Sequence, residues 1–103
     1  MSVARVLAGR IAIITGANQG LGLEIARKFV LAGADVMLCA RNAPLLEQVL
    51  VELLELAAPG QQVLAQTCDV SAAADVLCLV NATLTKLGGC HILEQRRHLW
   101  PQG

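Results

Sequence analysis

Three glycines, Gly16, Gly20 and Gly22, separate a short apolar run from an amphipathic segment. The run at residues 10–15 is rich in β-branched residues, which is typical of a buried strand. Residues 21–32 repeat apolar side chains at helical spacing. A strand that enters a helix through glycines leaves the first backbone N–H groups of the helix open to an anion, because no side chain shields them. The turn therefore predicts a phosphate-binding site within an α/β fold.

The remaining chain continues this alternation of strands and helices. Two more apolar runs predict a buried strand at residues 35–40 and a third strand at residues 63–68, and residues 90–93 begin like a fourth strand. Asn42 is the predicted N-cap of a second helix that runs to about residue 58, and Ser71 is the predicted N-cap of a third that ends at Gly88. The pattern predicts a truncated, Rossmann-type, three-layer α/β fold with a small, right-handed parallel sheet in the order 3-2-1 and a residual fourth strand beside the first.

Each predicted helix carries an apolar stripe that is expected to face the sheet. The stripes comprise Leu21, Ile25 and Phe29 in the first helix, Leu46, Val49, Leu50, Leu53 and Leu54 in the second, and Val76, Leu77, Val80, Leu84 and Leu87 in the third.

Composition excludes several function classes for this chain of 103 residues. Apolar residues make up 55% and charged residues 16%, which argues against a disordered chain. Eight basic residues balance eight acidic ones, so no net charge favours nucleic acid or an anionic membrane. No apolar run is long enough to span a bilayer, and a glycine turn stands where a signal peptide would need its cleavage site. We therefore expect a cytoplasmic protein without nucleic-acid or membrane partners.

The four cysteines are widely and irregularly spaced. Without an export signal, Cys39, Cys68, Cys78 and Cys90 are expected to be small buried apolar residues and not disulfide partners. Cys90, His91 and His98 could ligate a metal in principle, but no fourth ligand has suitable spacing, so no metal site is predicted.

The glycine turn and two later segments resemble the short-chain dehydrogenase/reductase family. The segment TGANQGLG at residues 15–22 has the spacing Gly-x-x-x-Gly-x-Gly, which differs from the general Gly-x-Gly-x-x-Gly pattern. Asp69 and Val70 follow the third predicted strand, and residues 86–89 (KLGG) end the third helix. The resemblance covers residues 9–93, about the first third to two fifths of a typical member.

The resemblance implies an NAD(P)-binding half-domain at residues 1–93, with a divergent polar tail at residues 94–103. It also implies that the Asp69 carboxylate and the Val70 backbone amide lie against adenine. Two simpler interpretations stay open: the glycines form a tight turn without a ligand, or Asp69 serves the turn before the third helix. The residues predicted to bind the cofactor are Gly16, Asn18, Gln19, Gly20, Leu21, Gly22, Arg41, Asp69 and Val70.

Cofactor preference is predicted from the end of the second strand. In dinucleotide-binding folds an acidic residue there accepts the ribose hydroxyls of NAD, whereas arginine pairs with the extra phosphate of NADP. Arg41 occupies this end and Asp35 the opposite one. The sequence therefore predicts NADP as the preferred cofactor, with NAD possible, unless Arg41 is an ordinary exposed arginine.

The catalytic residues that the resemblance implies are absent from this sequence. The family transfers hydride with a tyrosine as acid/base, a lysine four residues later and a serine. Here there is no tyrosine, the lysines are Lys28 and Lys86, and the serines are Ser2 and Ser71. The family's Asn-Asn-Ala-Gly segment is replaced by EQRR at residues 94–97. No catalytic residue is therefore predicted.

Three interpretations of this chain stay open. It is a truncated or frame-shifted product of a reductase gene that is inert alone, a nucleotide-binding or interaction module, or half of an enzyme that another chain completes. The change of character after Leu93 favours the first. A residual fourth strand also predicts an exposed edge along residues 10–15, and with it self-association.

Overall fold

The computed structural model describes residues 6–94 and contains alternating strands and helices. Their bounds are β1 Ile11–Thr15, α1 Gly20–Leu31, β2 Asp35–Ala40, α2 Ala43–Leu56, β3 Val63–Thr67, α3 Ala73–Leu87 and β4 Ile92–Glu94. The four strands form one sheet in the order β3-β2-β1-β4, and every neighbouring pair is parallel. The predicted α/β class and strand order are confirmed.

Helices cover both faces of the sheet, which is why its central strands are continuously apolar. All five residues of β1 are buried. Ala12 and Ile14 pack on one face with the buried residues of α1 and α2, whereas Ile11 and Ile13 pack on the other with Leu79 and Leu87 of α3. Alternate side chains of a strand point to opposite faces, so one apolar strand contributes to both layers of the core.

The first helix packs through a row of small side chains instead of the predicted large ones. Gly22, Ala26 and Val30 are its fully buried residues. Of the predicted stripe, Ile25 and Phe29 are partly buried against the core, whereas Leu21 is 55% exposed. The small row lets the helix approach the sheet closely, and the larger side chains flank that contact.

The third helix also differs from its prediction. Leu79, Thr83 and Leu87 are buried, whereas Leu77 and Leu84 are 64% and 47% exposed. Leu79, Thr83 and Leu87 recur every four residues and form one row on the helix. Thr83 is tolerated there because its hydroxyl donates to the Leu79 carbonyl at 2.8 Å. Of the predicted stripe, Leu87 is buried and Val76 and Val80 are half-buried, so the prediction is wrong only for Leu77 and Leu84. The apolar surface of the helix is wider than the surface that covers it.

The second helix follows the prediction more closely. Leu46, Val49 and Leu53 are buried and Leu50 packs against the core, although Leu54 is exposed. It ends at Leu56 and not near residue 58. Beyond this end, Gln61 Oε1 accepts from the Ala58 N–H at 2.9 Å, and its Nε2 donates to the carbonyls of Val30 at 2.8 Å and Ala34 at 2.6 Å.

One of the two predicted N-caps is confirmed. The Asn42 carboxamide accepts from the Leu45 N–H at 3.0 Å, with Pro44 in the first turn. The Ser71 cap is wrong, because α3 begins after Ala72, which has no side chain able to cap it. The Ser71 hydroxyl instead donates to Asp69.

The fourth strand covers the edge that was expected to be exposed. It begins two residues later than predicted and pairs Ile92 with Ala12. The His91 backbone N–H donates to the Ile11 carbonyl at 2.8 Å, and the Ile11 N–H donates to Nδ1 of His91 at 3.0 Å. The prediction of an exposed β1 edge is therefore wrong, since one histidine satisfies both polar backbone groups of Ile11. Self-association stays a prediction, with β3 and β4 as the outer strands of the described sheet.

Of the predicted tail at residues 94–103, only Glu94 lies within the described residues, at the end of β4. The rest of that tail, with His98, lies outside them. No helix in the described part of the chain combines the length and apolarity needed to cross a bilayer.

Candidate functional site

The turn between β1 and α1 lies at the carboxyl edge of the sheet, where the strand order reverses between β1 and β4. Parallel α/β sheets bind ligands in the crevice at such a reversal. Gly16 and Gly20 have φ angles of 63° and 58°, a left-handed conformation that favours glycine. The Ala17 N–H donates to the Cys39 carbonyl at 3.2 Å, which fastens the turn to the end of β2.

Gly22 is required for a different reason, the close approach of α1 to the turn. A Cβ atom at this position would lie 2.1 Å from the Gly16 carbonyl oxygen and 2.8 Å from its carbon. Both atoms belong to the backbone, so no side-chain rotation could relieve the clash. The helix is therefore held against the end of β1 at a distance that only glycine permits.

The N-terminus of α1 is open to a ligand. Gln19, the N-cap residue, is extended and makes no side-chain cap, and the first turn contains no acidic residue. A Cβ at Gly20 would meet no atom within 4 Å. Gln19 and Leu21, on either side of Gly20, are exposed, and Asn18 is half-buried. The uncapped N–H groups and the positive end of the helix dipole can bind an anion here.

Arg41 lies directly after β2 and is exposed at the same edge. Asp35 occupies the other end of β2, where its carboxylate accepts from the Gln62 N–H at 2.9 Å. Arg27 bonds to Glu24 and Glu52. The other described cations, Arg10, Lys28 and Lys86, precede β1 or lie in the last turns of α1 and α3. Within residues 6–94, Arg41 is therefore the cation at the carboxyl edge.

Asp69 and Val70 follow β3 and lie near Arg41, because the Cys68 N–H donates to the Ala40 carbonyl at 3.0 Å. Oδ1 of Asp69 accepts from the Ser71 N–H at 2.9 Å and from the Ser71 hydroxyl at 2.6 Å. These hydrogen bonds, with a smaller contribution from the Arg41 charge, lower the pKa of Asp69 below its ordinary value. Oδ1 of Asp69 therefore stabilises the turn before α3, which supports the interpretation of Asp69 as a turn residue. None of the described hydrogen bonds of this carboxylate uses Oδ2.

The structure brings all the predicted site residues to one edge of the sheet, in the segments that follow β1, β2 and β3 and in the first turn of α1. Sequence reasoning missed two contributors. Oδ2 of Asp75 accepts from the Asp69 N–H at 3.0 Å and so fixes the third turn. Ala17 is fully buried and anchors the first. No spacing rule in the sequence links Asp75 to Asp69.

The cysteines divide into two pairs. Cys39 and Cys68 are buried, as predicted, whereas Cys78 and Cys90 are exposed. Burial raises the pKa of the Cys39 and Cys68 thiols, so they remain protonated near neutral pH and behave as small apolar groups. Among the described residues, no three His, Cys, Asp or Glu side chains are grouped to hold a metal ion.

A parallel sheet with a glycine turn at its reversal point defines the class of dinucleotide-binding α/β folds. The sequence pattern of the short chain dehydrogenase family matches residues 10–95. The 7alpha-hydroxysteroid dehydrogenase of Escherichia coli (strain K12) is 39% identical over 87 residues, which are 84% of this chain and 33% of that protein. The dehydrogenase/reductase SDR family member 7B of Bos taurus is 52% identical over 52 residues, or 50% of this chain and 16% of that protein. The chain belongs to the short chain dehydrogenase family.

Solved structures agree with this assignment. A hydroxysteroid dehydrogenase from Escherichia coli superposes with a TM-score of 0.80 at 37% identity, covering 86% of this chain and 35% of that one. The actinorhodin polyketide ketoreductase with NADPH has a TM-score of 0.78 at 36% identity, covering 84% of this chain and 32% of that one. The chain spans about a third of the length of these relatives.

Proposed function

We propose that this chain is the NAD(P)(H)-binding portion of a short-chain dehydrogenase/reductase-type oxidoreductase and prefers NADP(H). The observation that carries the proposal is the uncapped N-terminus of α1 above a three-glycine turn, with Arg41 at the end of the neighbouring strand. Such a helix end binds pyrophosphate without needing a cationic side chain. The presence of NADPH in a similar ketoreductase structure is consistent with the proposal.

Each part of the cofactor has proposed binding residues in this chain. Gly20 lets the pyrophosphate approach the backbone, while Gly16 and Gly22 allow the tight turn and the close helix contact that place the helix end there. Asn18, Gln19 and Leu21 border the pyrophosphate. Arg41 pairs with the 2′-phosphate, since a guanidinium matches phosphate oxygens with two donors. The Asp69 carboxylate, through Oδ2, and the Val70 N–H take the adenine. When bound, the cofactor supplies a hydride-carrying nicotinamide, and these residues only hold and orient it.

Binding is tested on the full chain by calorimetry or saturation-transfer NMR with NADPH and NADH. We expect weak binding, about 100 μM or weaker, because the described site holds the adenosine end of the cofactor only. Arg41→Ala should remove the preference for NADPH. Arg10→Ala is the matched control, since it removes an exposed arginine at the opposite edge of the sheet. Equal binding of both cofactors, or an unchanged preference in Arg41→Ala, would contradict the role of Arg41.

We further propose that residues 1–103 alone catalyse no hydride transfer. Reduction of a carbonyl needs a proton donor held within hydrogen-bond reach of its oxygen. The chain contains no tyrosine. His91, one of its two histidines, uses its Nδ1 as an acceptor for the Ile11 N–H. The test is NADPH oxidation with a panel of ketone and aldehyde substrates, and turnover above the rate without protein would overturn this proposal.

A further inference from the structure

Arg41 and Asp69 place opposite charges at the ends of two neighbouring strands. Ala40 is in register with Thr67, and the Cys68 N–H donates to the Ala40 carbonyl at 3.0 Å. The chain therefore leaves β2 and β3 side by side, with Arg41 one residue and Asp69 two residues beyond these strands. Their separation is set by backbone pairing and not by the side chains themselves.

The two side chains are held to very different degrees. The Asp69 carboxylate receives two hydrogen bonds from Ser71, and its backbone N–H is bound by Asp75. Arg41 is exposed and forms no salt bridge with any described residue. A negative charge held by hydrogen bonds thus lies at the end of the strand next to an exposed cation. The Arg41 charge is a minor contributor to the lowered pKa of Asp69, in keeping with the adjacent ends of β2 and β3.

We propose that Asp69 limits the preference of this site for a 2′-phosphorylated nucleotide, because its carboxylate competes with that phosphate for Arg41. The inference rests on the proposed function. A ribose 2′-hydroxyl carries no charge and gains little from Arg41, so the competition acts only on the phosphorylated ligand. The Asp69 carboxylate would thereby reduce the factor by which a nucleotide with a 2′-phosphate binds more tightly than the same nucleotide without it. Contacts to adenine are common to both nucleotides and cancel from this factor.

The test compares adenosine 2′,5′-bisphosphate with AMP, a pair that differs only in the 2′-phosphate. Asp69→Asn removes the charge and keeps an oxygen that can accept from Ser71. We expect the ratio of the AMP Kd to the bisphosphate Kd to rise about two- to five-fold, the size of one exposed charge pair. Asp69→Ser is a second variant that keeps a side-chain oxygen in the turn. Glu55→Gln, with the same charge change on an exposed residue of α2, should leave the ratio unchanged.

Asp69→Asn in an Arg41→Ala background tests whether Asp69 acts through Arg41. The rise in the ratio should then disappear, and an equal rise without Arg41 would overturn the competition. Binding of both nucleotides with an unchanged or lower ratio in Asp69→Asn and Asp69→Ser would overturn the inference alone. If the unsubstituted chain bound neither nucleotide, the proposed function would fail and the inference with it.

Discussion

The first and third helices both begin at the carboxyl edge of the sheet, yet their N-termini are built in opposite ways. The start of α1 has no side-chain cap and no acidic residue. The start of α3 also lacks a capping side chain, but Asp75 lies in its first turn and, with Asp69 and Ser71, satisfies the preceding turn. One helix end is left for an external anion, and the other is neutralised by the chain's own carboxylates. A helix N-terminus is available to an external anion where the chain supplies no anion of its own, and α1 meets this condition whereas α3 does not.

The largest expected effect comes from closing the approach of α1. Gly22→Ala would place a Cβ 2.1 Å from the Gly16 carbonyl oxygen, so the helix must move away from the turn. We expect a loss of about 3 kcal/mol in the free energy of unfolding, measured by urea titration, or failure to fold. The matched control is Gly89→Ala, whose Cβ would lie 3.7 Å from Ile11 Cδ1, an ordinary contact. Equal stability of the two variants would show that this approach is not a constraint.

A second substitution makes the start of α1 resemble that of α3. Gln19→Asp adds a capping carboxylate to an end that has neither cap nor acid. Stability should rise by about 1 kcal/mol, because the new side chain accepts from uncapped N–H groups. Binding of NADPH should weaken several-fold, because the carboxylate occupies the place of the phosphates. Asn81→Asp, an exposed change of equal charge within α3, is the control. Stability and affinity that rose together would contradict the proposed use of this helix end.

The reverse experiment opens the start of α3. Asp75→Ala removes the acceptor of the Asp69 N–H and the acidic residue of the first turn. We expect a loss of about 0.5 to 1 kcal/mol in unfolding free energy, since the group is exposed and water replaces the carboxylate in part. Asp75→Asn, which keeps an acceptor oxygen, should recover most of it. A larger loss in Asp75→Asn than in Asp75→Ala would show that the hydrogen bond to Asp69 is not the cause.

The smallest expected effect is a change in how the free energy of unfolding depends on acid pH when the turn before α3 is altered. Hydrogen bonds from Ser71 hold the pKa of Asp69 below its ordinary value, so its contribution to stability is complete above about pH 4, the range of an unfolded aspartate, and is lost as the pH falls through the lower folded value. Ser71→Ala removes the hydroxyl donor. The difference in unfolding free energy between the original chain and this variant should therefore shrink below about pH 4. A difference that stayed constant or grew on acidification would contradict the assignment.

Much of this architecture was predictable because local patterns and long-range packing agree. The runs that became β1, β2 and β3 are short and largely apolar, and such runs suit a parallel sheet whichever residues cover them. The spacing of the three glycines between β1 and α1 is enough to predict a tight turn that exposes the N-terminus of the helix. Asn42 stands two residues before a proline, a combination that predicts a helix start from local geometry. Each of these predictions depends on residues close together in the sequence and not on contacts between distant segments.

The details that failed all depend on distant contacts. Periodicity includes Leu77 and Leu84, which are exposed, in the apolar stripe of α3 and omits Leu79, which is buried, because apolar residues extend around more of this helix than the sheet covers. Ser71 was assigned a cap that suits its type, but in the folded chain it donates to Asp69. His91 had been considered only as a metal ligand, yet it binds the backbone of a residue 80 positions earlier in the chain.

By itself, the sequence determined the alternation of strands and helices, the glycine turn and the carboxyl edge at which the site residues gather, since side-chain period and backbone freedom are local properties. Only the tertiary structure decided how close α1 lies to Gly16, what covers the edge of β1, and which partner each polar side chain of the third turn binds. These depend on distances between segments far apart in the chain. Such distances are set when the two layers of helices pack on the sheet, and no single segment specifies them.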